Sequence, residues 1–366
     1  MQEKQNQNKK YICKHPFKYV EIRGDGNIYP CCAGWTFDSS FGNIFKNSFE
    51  EVWNSEKAQN FRKSVLDGTY QYCDLQRCTH YGTKDWEETD DVSTIVQNLP
   101  ENMLIAMEKQ CNVRCIMCRD VQKYTSLEEM NKLDSMIDTT FVPLLKNCKM
   151  LAINGDGEAL AAKHSRKLLK KAVEVNPNIK ILLMTNGLIC NEKVLTEAGI
   201  INNVDSLAVS IHAATKKTYD KIVKDSNFDE IMKNVEWLAK RKDEGKIKSI
   251  GLIFVISQIN YKEAIEFAKI CKRLKVTMTI LKLYNFGTEI GKNFEKLAVF
   301  EKNHPEYNKF VKIMNNPILK EKFVEMPPEF RNLKPVTFSE RFANNIFFHT
   351  IKTFIQKLKV LFLSIV

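Results

Sequence analysis

An α/β fold is predicted for this 366-residue chain by three observations. Six short, mostly apolar segments recur from about Met103 onward. Amphipathic stretches long enough to form crossover helices separate them, and several of the segments end in Gly, Asn or Ser. In order the segments are "NMLIAME", "KMLAINGDG", "IKILLMTNG", "VDSLAVSIHA", "IKSIGLIFVIS" and "VTMTILKLYNF". Near-continuous apolar runs of this length suit parallel strands covered on both faces. Between them, "SRKLLKKAVEVN", "NEKVLTEAG", "FDEIMKNVEWLAKRKDEG" and "NYKEAIEFAKICKRLK" carry helical periodicity. Strand, helix and strand repeat as βαβ units, which close either an open doubly wound sheet or most of a β/α barrel. In both, chemistry gathers at the C-terminal ends of the strands.

The flanks differ from this core. Residues 1–95 hold short β-like pieces around a Gly-Asp-Gly turn, "YVEIRGDGNIYPCC", then a helical stretch, "SFEEVWNSEKAQNFRKSVLDG", then "CDLQRC". This predicts a separate small module joined by an acidic, turn-rich linker to a core of residues 96–290. Residues 291–366 form a helical extension that closes on "FFHTIKTFIQKLKVLFLSIV".

Composition narrows the class of protein. At 44% hydrophobic and 27% charged residues the chain is ordinary globular material. The start, "MQEKQNQNKK", lacks the apolar stretch of a secretory signal, so a cytoplasmic location is expected. There, clustered cysteines hold metal more often than they form disulfides. Of the eleven cysteines, Cys148, Cys190 and Cys271 stand apart and read as small buried apolar side chains. The net charge of +11 is dispersed and lacks basic runs interleaved with aromatics, which argues against nucleic acid.

"CNVRCIMCRD" places Cys111, Cys115 and Cys118 at C-x3-C-x2-C spacing directly after the first core segment. Structural zinc and ferredoxin-type clusters take four ligands. Three thiolates leave one iron of a cubane open for a substrate, although a partial zinc site has the same residues. With this motif the chain resembles the radical S-adenosylmethionine (SAM) superfamily over residues 100–290, and the partial (β/α)6 TIM-like barrel of that family is the fold implied. Later segments agree in order. Gly157 and Glu158 stand where the family carries a Gly-Gly-Glu-Pro type element, with Asp156 and Ala159 in place of its preceding glycine and its proline. The resemblance implies that Glu158 receives the SAM amino group. Asn186, in the "TNG" that ends the third segment, is expected among the cofactor contacts, Ser210 matches a ribose-contacting polar residue with His212 nearby, and Met117 replaces a frequent aromatic that packs on adenine. The implied activity is reductive cleavage of SAM at a 4Fe–4S cluster, giving a 5'-deoxyadenosyl radical that abstracts hydrogen from substrate.

In the N-terminal module "CKHP", "GNIYPCC", "GNIFKNSFEEVWNS" and "CDLQRC" follow one another as in the SPASM or shortened twitch domain, which carries an auxiliary iron–sulfur cluster. The resemblance implies Cys13, Cys31, Cys73 and Cys78 as ligands of a second 4Fe–4S cluster, with Cys32 a spare or a substitute for Cys31. A zinc knuckle from the same cysteines is the alternative. An auxiliary cluster implies net oxidation or radical cross-linking. A sugar-like or other small polar substrate is expected, since no peptide-binding wing is recognisable, with a peptide-modifying maturase and a non-catalytic metal scaffold as alternatives. An acidic flavodoxin or ferredoxin is the electron donor expected of a basic enzyme. The terminal helix keeps its apolar residues largely on one side and its lysines elsewhere, and its uninterrupted apolar run is far shorter than the ~20 residues that span a bilayer. A peripheral contact with an anionic membrane surface is expected of it, packing on protein being the alternative.

Overall fold

A computed structural model describes residues 10–337 except 38, 76–77, 79–80, 82–85, 90–92, 119–123, 154–156 and 286–288. The terminal segment "FFHTIKTFIQKLKVLFLSIV", and with it the expected membrane contact, lies outside the described residues, as does Asp156. The strands in chain order are β1 (Lys10–Cys13), β2 (Tyr19–Arg23), β3 (Asn27–Tyr29), β4 (Gly42–Asn43), β5 (Trp86–Thr89), β6 (Asn102–Ala106), β7 (Arg114–Cys115), β8 (Met150–Ile153), β9 (Lys180–Thr185), β10 (Val204–Ser210), β11 (Val223–Lys224), β12 (Ser249–Ile256), β13 (Thr277–Lys282) and β14 (Val324–Glu325). All six predicted core segments are strands, namely β6, β8, β9, β10, β12 and β13. The fold is α/β, with mostly parallel pairing and helices between successive strands of the six-segment core.

The chain divides into two compact units, residues 1–112, 122–208 and 241–248 in one and 113–121, 209–240 and 249–366 in the other. In the first unit β6, β8 and β9 pair in parallel, with Asn102 opposite Met150 and Met150 opposite Lys180. Met103, Ile105, Leu151, Ile153, Ile181 and Leu183 are buried, each contributing roughly 1.5–3 kcal/mol. The helix Lys163–Val175 crosses between β8 and β9 and buries Leu168, Leu169 and Ala172 on one face.

The N-terminal segment adds to this same sheet. Strand β2 pairs in parallel with β6, from Tyr19 opposite Asn102 to Arg23 opposite Ala106, and β3 and β4 continue outward as antiparallel neighbours. The Gly-Asp-Gly turn opens at Gly24, where a Cβ would sit 2.1 Å from the Met107 carbonyl oxygen, so only glycine lets the hairpin approach the end of β6.

The helical stretch expected after it is two helices, Phe49–Trp53 and Glu56–Leu66, because Ser48 and Ser55 each cap a new start. The Ser48 hydroxyl accepts from the Glu51 N–H while the Glu51 carboxylate accepts from the Ser48 N–H, a full capping box. Arg62, 0% exposed, fixes this region. Its guanidinium lies 4.4 Å from the Trp53 ring centroid and donates to the Pro16 carbonyl at 2.9 Å, the Thr94 carbonyl at 3.0 Å and Asn54 Oδ1 at 3.1 Å. Burial lowers its pKa to about 10, which still leaves it cationic at neutral pH.

In the second unit β12, β13 and β14 pair in parallel, Gly251 opposite Thr277 and Met278 opposite Val324. A separate antiparallel pair joins β7 to β11, with Cys115 opposite Val223. Among the described residues no helix is long and apolar enough to cross a membrane.

Candidate active site

Strand β6 ends in Ala106, and the chain continues through Glu108 and Gln110 to Cys111. Glu108 is buried, and its carboxylate accepts the backbone N–H groups of His164 at 2.8 Å and Ser165 at 3.0 Å, at the positive N-terminal end of the helix Lys163–Val175. Sequence reasoning missed this anchor. Its one signal was an acidic residue closing an apolar strand.

Gly157 packs directly on this segment. A Cβ there would lie 2.2 Å from the Gln110 carbonyl oxygen and 2.6 Å from that of Glu108, so the contact requires glycine. The next residue seals it, the Glu158 N–H donating to the Gln110 carbonyl at 2.7 Å. The Glu158 side chain points inward and is 2% exposed. One carboxylate oxygen accepts from the Thr185 hydroxyl at 2.7 Å and the Leu160 N–H at 3.3 Å, the other from the Asn186 N–H at 2.7 Å. Burial raises its pKa and these hydrogen bonds oppose the rise. Asn186 in turn donates from Nδ2 to Asn112 Oδ1 at 2.7 Å and faces Cys111 Sγ at 3.8 Å. Gly157, Glu158, Asn186 and Cys111, singled out in separate segments of the sequence, therefore form one connected group within the first unit. The Glu158 carboxylate acts there as a tie between the ends of β8 and β9.

The remaining residues of the motif belong to the second unit. Cys115 lies in β7, and the turn to Cys118 is closed by the Cys118 N–H donating to the Cys115 carbonyl at 3.0 Å. Arg114 pairs with Asp225 at 2.6 Å, and the Ile116 N–H donates to the Ile222 carbonyl at 2.9 Å, so the loop is held at both flanks. Met117 is buried while Cys118 is exposed, which leaves the thiol accessible and the thioether covered.

Ser210 is the last residue of β10. His212, just beyond it, is buried at a left-handed φ of 65°, a strained position for a residue other than glycine. Its Nδ1 accepts the Val255 N–H at 3.2 Å, which assigns the ring proton to Nε2, and burial lowers its pKa to about 4. Asn260 supports it, donating to the His212 carbonyl at 2.7 Å and the Val255 carbonyl at 2.9 Å.

In the N-terminal segment one cavity is lined by Cys13, Cys31, Cys73 and Cys78, with Trp35, Phe61 and Tyr70 among its walls. These are the four thiols the sequence singled out. Cys32 is absent from that lining, although it lies near enough to Cys78, as well as to Glu21 and Arg23, to feel their charge. The turn carrying Cys73 and Cys78 is built by the Cys73 N–H donating to the Tyr70 carbonyl at 2.8 Å and the Cys78 N–H donating to the Asp74 carbonyl at 3.0 Å. Burial pushes the Cys31 thiol far above its usual range and Cys73 up to about 12, with neighbouring thiols adding to both shifts. Among the described residues no three His, Cys, Asp or Glu side chains are grouped so as to hold a single metal ion. Four thiols around one cavity nevertheless match the donor set of an iron–sulfur cluster, and coordination would supply the deprotonation that burial resists. The glycine-only contact at Gly157 and the buried Glu158–Asn186–Cys111 chain bring together the residues that the sequence placed around SAM, their polar atoms paired with one another.

Comparison with known proteins agrees with this assignment. The SPASM iron–sulfur cluster-binding domain matches residues 13–79, a span that begins at the first cavity cysteine and includes the other three. The chain is 27% identical to the FeMo cofactor biosynthesis protein NifB of Methanocaldococcus infernus over 48% of its own length and 64% of the relative's. It is 26% identical to the GTP 3',8-cyclase of Aquifex aeolicus over 53% of its own length and 60% of the relative's. It thus spans less than two thirds of either relative. Among solved structures, anSMEcpe with bound AdoMet and Kp18Cys peptide aligns over 62% of this chain and 63% of that one, at 18% identity and a TM-score of 0.42. These matches support the expectation of a radical SAM enzyme with a SPASM-type iron–sulfur domain. The domain match supports an iron–sulfur cluster in the N-terminal segment.

Proposed function

We propose that this protein cleaves SAM reductively and uses the resulting radical to oxidise or otherwise modify a sugar-like or other small polar substrate. The observation that carries the reading is the buried chain from Glu158 through Asn186 to Cys111, which joins the glycine–glutamate element to the first cysteine of the motif. When bound, a 4Fe–4S cluster held by three thiolates supplies an open iron that chelates SAM and the electron that breaks its carbon–sulfur bond.

In this reading Cys111, Cys115 and Cys118 hold the cluster. Gly157 and Glu158 shape the amino-acid end of the SAM site, Ser210 binds the ribose, and Met117 covers the adenine. Cys13, Cys31, Cys73 and Cys78 would hold the auxiliary cluster, which would supply an electron acceptor beside the substrate site. Residues 1–95 carry that cluster, 96–290 the SAM site and 291–366 the extension. The proposed donor is an acidic flavodoxin or ferredoxin, drawn by the net charge of +11. The proposed location is the cytoplasm, with the last twenty residues in peripheral contact with an anionic membrane.

Anaerobically reconstituted protein given SAM and dithionite tests the activity. Formation of 5'-deoxyadenosine is expected, and its absence from protein carrying both clusters overturns the reading. Acceleration by a pool of small sugars, with none from a peptide pool, supports the substrate class, and the opposite result overturns it.

A further inference from the structure

We infer that Asn186 is a positioning residue that sets the reduction potential of the SAM-binding cluster through an N–H···S hydrogen bond to Cys111. This rests on the reading of Cys111 as a cluster ligand and goes beyond it, because it assigns Asn186 to the cluster's sulfur and not to SAM.

The orientation of the amide decides the matter. An asparagine amide can be turned either way, and its neighbours must fix which end faces the thiol. Here the Leu188 N–H donates to Asn186 Oδ1 at 3.0 Å, so the oxygen is held away from Cys111. Nδ2 is then directed at two acceptors, Asn112 Oδ1 at 2.7 Å and Cys111 Sγ at 3.8 Å. The backbone is pinned as well, since the Asn186 N–H donates to the buried Glu158 carboxylate at 2.7 Å. One amide hydrogen serves each acceptor, leaving no Nδ2 donor for a ligand. The residue is 8% exposed, so water competes little for the bond to sulfur.

The consequence is electrostatic. Reduction adds one negative charge to a cluster whose sulfurs share it, and an N–H dipole aimed at one of them stabilises the more negative state. Asn186 therefore raises the potential and eases entry of the electron, while making the reduced cluster a weaker reductant toward SAM. Glu158 takes part indirectly, by holding the asparagine in register.

EPR-monitored redox titration of the reconstituted full-length protein tests this, the signal that changes on adding SAM being that of the Cys111 cluster. Asn186→Leu is expected to lower the ratio of reduced to oxidised cluster at a fixed potential about tenfold, a fall of about 59 mV for a one-electron couple. Asn186→Asp, with the same shape but an acceptor facing the sulfur, should fall at least as far. If the leucine variant loads less iron, Asn186→Ser, too short to reach the sulfur, carries the same expectation. A lowered melting temperature with an unchanged potential in loaded variants overturns the inference and leaves Asn186 merely structural. Retention of full iron and of the SAM-sensitive signal in Cys111→Ala would instead overturn the site assignment on which it rests.

Discussion

The backbone N–H of Glu158 donates to the carbonyl of Gln110 at 2.7 Å, one residue before Cys111. The bond forms only because Gly157 brings no side chain to the contact. Gly157→Ala would place a methyl 2.2 Å from that carbonyl oxygen, against backbone that has no rotamer by which to yield. A cost of about 3 kcal/mol is expected, at the upper end for overpacking. The variant should melt lower and assemble less of the SAM-binding cluster. Thermal unfolding and iron analysis check this, and parent-like values in both would show that the two segments move apart freely.

The two cysteine sets should separate in their effects. Loss of any of Cys111, Cys115 or Cys118 to alanine is expected to abolish 5'-deoxyadenosine formation. Cys73→Ala and Cys78→Ala should each remove about half of the iron, leave SAM cleavage measurable and block product formation. Chromatography of the nucleoside beside iron counts reads both outcomes. Deoxyadenosine from a Cys115→Ala protein would contradict the first, and an undiminished iron content in Cys73→Ala the second.

Arg62 donates to the carbonyl of Pro16, one of the residues lining the N-terminal cavity. Its 0% exposure and its bonds to Pro16 and Thr94 mean that truncation leaves the buried Pro16 carbonyl and the part-buried Thr94 carbonyl without this donor, and a hole beside Trp53. Arg62→Ala is expected to cost about 3 kcal/mol. Because Pro16 lies close in sequence to Cys13, the auxiliary cluster should be the part that suffers. Loss of the SAM-insensitive EPR signal with retention of the SAM-sensitive one is the expected pattern, and parent-like spectra would refute it.

His212 predicts a pH dependence. Its pKa of about 4 in the fold lies below the ~6.5 of an unfolded imidazole, so the native state resists protonation. The stability this represents, roughly 3 kcal/mol, is complete above pH ~6.5 and is lost as pH falls toward 4. Asparagine accepts a positive φ and can offer its oxygen to the Val255 N–H, so His212→Asn should fold yet show a flatter decline of stability over that window. Denaturant melts at several pH values compare the two proteins, and parallel profiles would mean that His212 does not titrate in this way.

What the sequence by itself determined follows from short-range regularity. Apolar runs and helical periodicity located all six core strands, because burial on both faces imprints itself on consecutive residues. The C-x3-C-x2-C spacing and the four N-terminal cysteines were likewise visible as patterns of residue type. The tertiary structure decided what depends on distant partners. It pairs β2 in parallel with β6 across some eighty residues of chain and selects Cys31 over Cys32 for the cavity. It also splits one helical stretch in two at Asn54 and Ser55. Asn186 meets Cys111 across 75 positions, and Arg62 meets Pro16 across 46. A buried polar group must find a partner wherever the fold supplies one, and sequence spacing carries no record of that choice.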